Sequence, residues 1–179
     1  MDKVFIFVEG SNDMRFIENI IRPFFIDKKL INIFPIPYQQ KKKKNIKKTI
    51  STYLAHNHNF IFLSDLDSDF YHCITSRKEK RQQEYSTLPL ENIVIVKDEI
   101  ESWYLAGIED SINEIYDSNI PENTENISKE DFEKILENSN VDSKIAFFNE
   151  IPKYYNIDLA IKRNNSLKYF IDKINLICS

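Results

Sequence analysis

The sequence predicts an α/β protein in which a parallel sheet of about four strands is flanked by helices and followed by a helical C-terminal extension. Four short apolar runs alternate with helix-like segments in the first part of the chain, as in repeated βα units. These runs are almost continuously apolar, which is typical of parallel strands buried on both faces. Beyond residue 97 the apolar spacing is helical throughout. We therefore expect an α/β core at residues 1–107 and a helical extension, packed on that core, at residues 108–179.

Four segments rich in β-branched and aromatic residues are the strand candidates. In chain order they are VFIFV (4–8), LINIFPI (30–36), FIFL (60–63) and NIVIV (92–96). Parallel strands joined through helices predict right-handed crossover connections between them.

Apolar residues three and four positions apart predict the helices. In the first part of the chain the helices cover 12–25, 45–57 and 69–85; in the second part they cover 100–107, 109–116, 128–138, 142–155 and 165–177. The second half of the helix at 69–85 is rich in charged residues, and we expect it to be solvated and basic. The segment DSNIPENTENIS (117–128) predicts a loop, because Pro, Asn and Ser interrupt regular structure.

Composition favours a soluble cytoplasmic protein. The chain has 179 residues, 42% of them hydrophobic and 29% charged, which is ordinary for a globular domain. No apolar stretch approaches the ~20 residues of a membrane span, and the apolar run at the N-terminus is too short for a signal peptide. Cys73 and Cys178 lie far apart in the sequence, which indicates a reducing compartment.

The charges are unevenly distributed along the chain. The net charge is −4, which does not by itself indicate a nucleic-acid-binding protein. However, KKKKNIKK (41–48) holds six lysines and no acid, whereas residues 109–137 hold ten acids and two lysines. The lysine run precedes a group of aspartates in SDLDSD (64–69), so a basic segment accompanies the most acidic point of the predicted core.

Acidic residues follow three of the four predicted strands. They are Glu9 and Asp13 after the first, Asp65, Asp67 and Asp69 after the third, and Asp98, Glu99 and Glu101 after the fourth. Ligands of parallel sheets bind beyond the carboxyl ends of the strands, where Glu9, Asp65 and Asp67 meet if their strands are adjacent. Carboxylates without histidine or cysteine favour one or two Mg²⁺ or Mn²⁺ ions over zinc. We expect Gly10 to let the backbone turn sharply and a substrate approach Glu9 closely.

Three other interpretations of the Asp65–Asp69 segment are an EF-hand loop, a phosphatase motif and a helix cap. An EF-hand loop starting at Asp65 needs glycine at position 70 and glutamate at position 76, where the chain has Phe70 and Ser76. A phosphatase of the haloacid dehalogenase type also places Asp-x-Asp after a strand, but it leaves Glu9 and Gly10 unexplained. The acids also suit the N-cap of the following helix, although one cap does not require three of them.

The two strongest motifs resemble the TOPRIM domain, a Rossmann-like fold shared by topoisomerases, bacterial primases and OLD-type nucleases. That pattern is a strand ending in Glu-Gly with an acid nearby, then a strand ending in Asp-x-Asp, as in VFIFVEGSND (4–13) and FIFLSDLDSD (60–69). IVIVKDEIESWYLAG (93–107) and the tail at 153–174 are similar to blocks of small stand-alone TOPRIM proteins of bacterial defence loci.

The resemblance implies a TOPRIM-like α/β core and a metal-dependent endonuclease that acts in defence against phage or mobile DNA. It assigns catalysis and metal binding to Glu9, Asp65 and Asp67. It makes Asp13, Asp69 and Glu101 candidates for holding a second ion or supporting the first. Because acids repel a phosphate backbone, basic residues must bind it. We predict phosphate contacts from Lys41, Lys42, Lys43, Lys44, Lys47 and Lys48, and further contacts from Arg77, Lys162 and Arg163.

Two other functions stay open at this point. The chain is alternatively a catalytically silent TOPRIM module that binds a partner ATPase, for which the acidic segment at 109–137 is a suitable surface. The second alternative is a metal-dependent phosphatase or phosphotransferase that acts on small molecules. The joint presence of Glu9, Asp65 and Asp67 disfavours the silent module, and the lysine run disfavours a closed small-molecule pocket. The sequence leaves open whether the nucleic acid is DNA or RNA.

Overall fold

A computed structural model describes residues 2–28, 31–66, 73–109 and 120–178 of the chain. The chain divides into two compact units, one formed by residues 1–96 and 172–179 and the other by residues 97–171. The helix at 100–106, which the sequence assigned to the core, belongs to the second unit, and the last residues of the chain belong to the first.

The first unit contains a four-stranded parallel sheet, as the sequence predicted. Its strands are β1 (Asp2–Val8), β2 (Ile31–Pro37), β3 (Asn59–Asp65) and β4 (Ile93–Val96). Their order across the sheet is β2-β1-β3-β4, with Phe7 level with Phe62, and Phe62 level with Ile93. The predicted fold class, an α/β protein with a parallel sheet flanked by helices, is confirmed.

Helices connect the strands of this sheet. A helical run follows β1 and consists of α1 (Ser11–Phe16), a π-helical turn (Ile17–Ile21) and α2 (Arg22–Asp27). The widened turn precedes Pro23, which has no backbone N–H and whose ring collides with the carbonyl four residues earlier in a regular helix. The helices α3 (Lys43–Ala55) and α4 (Ile74–Glu84) follow β2 and β3.

One face of the sheet carries a core of aromatic and aliphatic side chains. Phe5 and Phe7 of β1 lie on the same face as Phe60 and Phe62 of β3, because side chains alternate along parallel strands in register. The residues packed in this cluster are Phe7, Tyr38, Ile46, Ile50, Phe60, Phe62, Leu66, Tyr85, Leu88, Ile93 and Ile95. Since Glu9 is two residues after Phe7, this core lies next to the point where β1 ends.

The second unit is helical in its described residues. It contains α5 (Ile100–Ala106), α6 (Lys129–Glu137), α7 (Lys144–Glu150), a 3-10 turn (Ile151–Tyr154), α8 (Ile157–Arg163) and the start of α9 (Asn165–Cys178). The Trp103 indole is buried and donates from Nε1 to Oγ of Ser166 at 2.8 Å. The buried Glu125 carboxylate accepts hydrogen bonds from the backbone amides of Asn165 and Ser166, which compensates the unpaired N–H groups at the start of α9.

The predicted helices agree with the structure to within a few residues, with three differences. The helix predicted at 69–85 begins at Ile74 among the described residues, and that at 142–155 is divided into α7 and a 3-10 turn. The short helix α8 was not predicted; it begins after Asn156, whose side chain caps the amide of Leu159. The predicted helix at 109–116 lies almost wholly outside the described residues. None of the helices in the described ranges is long and apolar enough to cross a membrane.

Candidate active site at the carboxyl edge of the sheet

The order of the strands determines which side chains lie together. A sheet ordered β2-β1-β3-β4 has its topological switch point between β1 and β3, because the chain leaves these two strands in opposite directions. Ligands of such sheets bind in the crevice at this point. Glu9 directly follows β1, and Asp65 is the last residue of β3. The two acids that the sequence predicted to meet therefore flank the expected ligand crevice.

Glu9 is held by two side chains that the sequence analysis did not identify. Arg81 Nη2 lies 3.2 Å from both carboxylate oxygens of Glu9, and the hydroxyl of Tyr38 lies 3.3 Å from Oε2. About one fifth of the Glu9 side chain is exposed, at 22%. The carboxylate is thus oriented by one cation and one neutral donor, while part of it still faces solvent.

Arg81 connects several acceptors at the edge of the sheet. Its Nε donates to Ser64 Oγ at 2.8 Å and its Nη1 to Glu84 Oε2 at 2.9 Å, in addition to the contacts with Glu9. Burial by itself lowers the pKa of Arg81, but Tyr38 where it is ionised at high pH, and the carboxylates of Glu9 and Glu84, raise that pKa above its usual value. The guanidinium is therefore always charged, and it is nearly buried between two carboxylates.

Tyr38 supplies a neutral donor to the same site. It follows β2, is buried, and its hydroxyl lies 3.1 Å from the carbonyl oxygen of Leu63 as well as near Glu9. Burial, and then the charge of Glu9, raise the pKa of Tyr38 well above its ordinary value. The hydroxyl stays protonated at neutral pH and is available as a hydrogen-bond donor.

Asp13 and Asp65 are both close to the ends of these strands. Asp13 is buried at the start of α1, where its Oδ2 accepts a hydrogen bond of 3.0 Å from the backbone amide of Gly10. Asp65 is half-buried, and its carbonyl oxygen accepts a hydrogen bond of 2.8 Å from Arg77 Nε. The amide of Leu66 donates to Val96 at 3.0 Å, which extends the pairing of β3 with β4 past Asp65.

The donor chemistry of the predicted ligands fits a hard divalent cation. Glu9, Asp13 and Asp65 are all carboxylates, which are the ligands that Mg²⁺ and Mn²⁺ prefer. Within the described part of the chain, no group of three or more Asp, Glu, His or Cys side chains is arranged to hold an ion. Asp67 and Asp69, the remaining predicted ligands of this segment, lie outside the described residues.

Glu101 makes a salt bridge within the second unit. It is buried in α5, and its Oε1 lies 2.9 Å from Nζ of Lys144. The same ammonium group lies 5.1 Å from the centre of the Phe132 ring. The pair compensates the cost of burying the Glu101 charge. A role for Glu101 in metal binding stays a prediction.

The predicted phosphate-binding residues occupy different environments. Lys41, Lys42, Lys43, Lys44 and Lys48 are exposed, and Lys47 is half-buried. Lys43 Nζ lies 3.7 Å from Glu84 Oε1, which links the start of α3 to the Arg81 network. Lys162 and Arg163 belong to the second unit, where they line an open cavity together with Glu109 and Asp158.

Two expectations about the site residues are wrong. The second half of the helix predicted at 69–85 is not solvated throughout, because Arg77 and Arg81 are only 4% and 8% exposed. Gly10 does not need the conformational freedom of glycine, since its φ of −129° is extended backbone that any residue adopts. A Cβ at this position would lie 3.5 Å from Asp13 Oδ2, which is an ordinary contact.

The sequence contains weak signals for the residues that were missed. Arg81 was missed although it is four positions after Arg77, a predicted phosphate-binding residue, so that both lie on one face of α4. The many other charged residues of the helix hide this spacing. Tyr38 directly follows the second strand, so it belongs to the same sheet edge as Glu9. Neither signal indicates Glu9 as the partner, because Glu9 lies 29 positions from Tyr38 and 72 positions from Arg81 in the sequence.

Glu84 gives this network a measurable dependence on pH. Burial raises the pKa of Glu84, but the hydrogen bond and charge of Arg81 outweigh it and lower the pKa below its usual value. A lowered carboxyl pKa contributes stability above the unfolded-state pKa of about 4.3, and this stability is lost as the pH falls through the folded-state pKa. We expect wild type to lose about 0.5–1 kcal/mol more than Glu84→Gln between pH 6 and pH 3.

Urea unfolding at several pH values, followed by circular dichroism, measures this difference. Glu79→Gln, which removes an exposed acid from the same helix, is the control and should follow wild type. Equal losses in wild type and Glu84→Gln would contradict the prediction.

No family model, curated protein or solved structure matches the chain.

Proposed function

We propose that this protein is a metal-dependent nuclease that hydrolyses phosphodiester bonds of nucleic acid at the carboxyl edge of its sheet. The observation that carries the proposal is the position of Glu9 and Asp65 on either side of the switch point between β1 and β3. The resemblance of both motifs to the TOPRIM domain supports the same function. Asp65, Asp67 and Glu9 would hold one or two Mg²⁺ or Mn²⁺ ions, with Asp13 and Asp69 as additional ligands.

The chain's own residues contribute binding and orientation. When bound, the ions would neutralise charge on the phosphate and activate water for attack. Tyr38 and Arg81 hold the Glu9 carboxylate at the edge. The exposed lysines at 41–44 supply the positive potential that attracts a polyanion and offsets the acids. Arg77 donates a hydrogen bond to the carbonyl oxygen of Asp65, and this is its main role. Its proposed contact with phosphate is secondary.

The biological setting follows from the same resemblance. We propose a cytoplasmic protein of bacterial defence against phage or mobile DNA, since the similar stand-alone TOPRIM proteins belong to such loci. A partner ATPase is the proposed protein partner, as in OLD-type nucleases. The sparse use of cysteine is in keeping with a reducing compartment.

A cleavage assay tests the activity. Supercoiled DNA and total cellular RNA are incubated with the purified protein in Mg²⁺, Mn²⁺ or a chelator. We expect one of the polymers to be cleaved only with metal, and the rate to fall roughly 100-fold or more in Glu9→Gln, Asp65→Asn and Asp67→Asn. Asp27→Asn, which changes an exposed acid of α2, should retain the wild-type rate.

The other outcomes distinguish the alternatives. Cleavage that survives in all three variants, or in the chelator, would contradict the proposed site. Absence of cleavage of both polymers would leave two alternatives: a nuclease that requires its partner ATPase, or a silent module whose acids bind but do not cut. Metal-dependent hydrolysis of a small phosphate ester without cleavage of either polymer would favour the phosphatase.

A further inference from the structure

The Arg81 guanidinium lies where a cation bound to Glu9 is expected. Its Nη2 is 3.2 Å from Oε1 and 3.2 Å from Oε2, so it is shared between the two oxygens on which a metal ion would coordinate. The Arg81 side chain is 10% exposed, so solvent screens the pair only weakly. A guanidinium and a divalent ion repel each other and need the same lone pairs of the carboxylate.

We propose that Arg81 is a positioning residue that holds Glu9 in the absence of metal and competes with a divalent cation for the Glu9 carboxylate. The inference rests on the proposed function, from which it takes the cation. It adds that the metal-free site has its own resident positive charge, and that metal binding requires exchange of one cation for the other on Glu9.

The remaining contacts of Arg81 can hold its side chain in place when its contact with Glu9 is lost. Ser64 binds Nε at 2.8 Å and Glu84 binds Nη1 at 2.9 Å, so the guanidinium keeps two partners when Glu9 changes partner. Glu84 continues to compensate the buried positive charge, which prevents the large penalty of an unpaired ion. Lys43, 3.7 Å from Glu84, belongs to the exposed lysine run and connects the network to the surface.

Simple electrostatics also predicts that removing a positive charge tightens cation binding, so a single variant does not test the inference. A double-mutant cycle does, because it isolates the part of the effect that passes through Glu9. If Arg81 competes with the cation for Glu9, removal of Arg81 changes the cation affinity only when the Glu9 carboxylate is present. A general charge effect is independent of the residue at position 9, and it is also seen on removal of another lysine or arginine nearby.

The experiment measures Mn²⁺ affinity of the full-length protein by electron paramagnetic resonance of the free ion. The variants are Arg81→Gln, Glu9→Gln and the two combined, with Lys80→Gln, an exposed residue of α4, as the matched control. We expect Arg81→Gln to tighten Mn²⁺ binding about 10-fold when residue 9 is glutamate, and less than about 2-fold when residue 9 is glutamine. Lys80→Gln should change the affinity less than about 2-fold.

The results separate this inference from the proposed function. Mn²⁺ binding by wild type that Arg81→Gln leaves unchanged, or tightens equally in both backgrounds, would overturn the inference alone. Weaker binding in Arg81→Gln would also overturn it, since Arg81 would then assist the metal. Absence of Mn²⁺ binding in wild type and in Arg81→Gln would overturn the metal site and the inference together.

A measurement on the wild-type protein avoids any folding defect of the variants. The Nε–H resonance of Arg81 is assigned by its loss in Arg81→Lys and followed in a Mg²⁺ titration by NMR. If Nη2 of Arg81 loses Glu9 as its partner when Mg²⁺ binds, the chemical shift of this resonance should change in proportion to Mg²⁺ occupancy. The chemical shift of the Arg22 Nε–H in α2 should not change. An Arg81 resonance that does not move while Mg²⁺ binds would overturn the inference.

Discussion

Replacement of Phe62 by alanine is expected to lower the free energy of unfolding by about 3–5 kcal/mol. Phe62 is fully buried in β3, and its ring centre lies 4.5 Å from that of Tyr38, 5.1 Å from that of Tyr85 and 5.7 Å from that of Phe7. The sheet beneath it is rigid, so the surrounding residues cannot fill the cavity fully. Because Tyr38 contacts Glu9, the same change also removes support from the candidate site.

Urea unfolding followed by circular dichroism measures the loss. Phe24→Ala is the matched control, since Phe24 is only half-buried at the surface of α2 and should cost less than about 1.5 kcal/mol. Phe62→Leu keeps most of the volume and should lie between wild type and Phe62→Ala. Equal losses in Phe62→Ala and Phe24→Ala would contradict the described core.

The second large effect is expected for Gly107→Ala, at about 3 kcal/mol. A Cβ at Gly107 would lie 2.6 Å from Cε1 of Tyr155 and closer still to two other ring atoms. The ring has little freedom to move, because its hydroxyl donates to the Trp103 carbonyl at 2.5 Å and its backbone is paired with Ile108. The φ of Gly107 is −93°, so glycine is needed here for space and not for its backbone freedom.

The other glycine of the chain is the natural control. Gly10→Ala introduces a Cβ with an ordinary 3.5 Å contact, and its cost should stay below about 1 kcal/mol. If the clash is the cause, Tyr155→Ala combined with Gly107→Ala should be no less stable than Tyr155→Ala alone. A further loss in that double variant would show that Gly107 is required for another reason.

The sequence by itself determined the sheet and the acids at its edge. Short continuous apolar runs such as FIFL favour strands that are covered on both faces, and the helical segments between them favour parallel connections. Residues that directly follow parallel strands lie at the carboxyl edge of the sheet, whatever the order of the strands. Glu9 and Asp65 were therefore predictable as members of this edge, because their positions depend on local pattern and not on distant contacts.

Only the tertiary structure decided what surrounds those acids. Arg81 appears in the sequence as one more charge in RKEKRQQE (77–84), and its burial depends on how α4 packs against the end of β3. Tyr38 contacts Glu9 because β2 is the neighbour of β1, a strand order that periodicity does not specify. A buried arginine needs partners for its charge and its N–H groups. Glu84 comes from the same helix, but Ser64 belongs to β3 and Glu9 directly follows β1, so these two partners depend on the tertiary structure. Local spacing predicts which residues reach the edge, whereas long-range packing determines which charges they meet there.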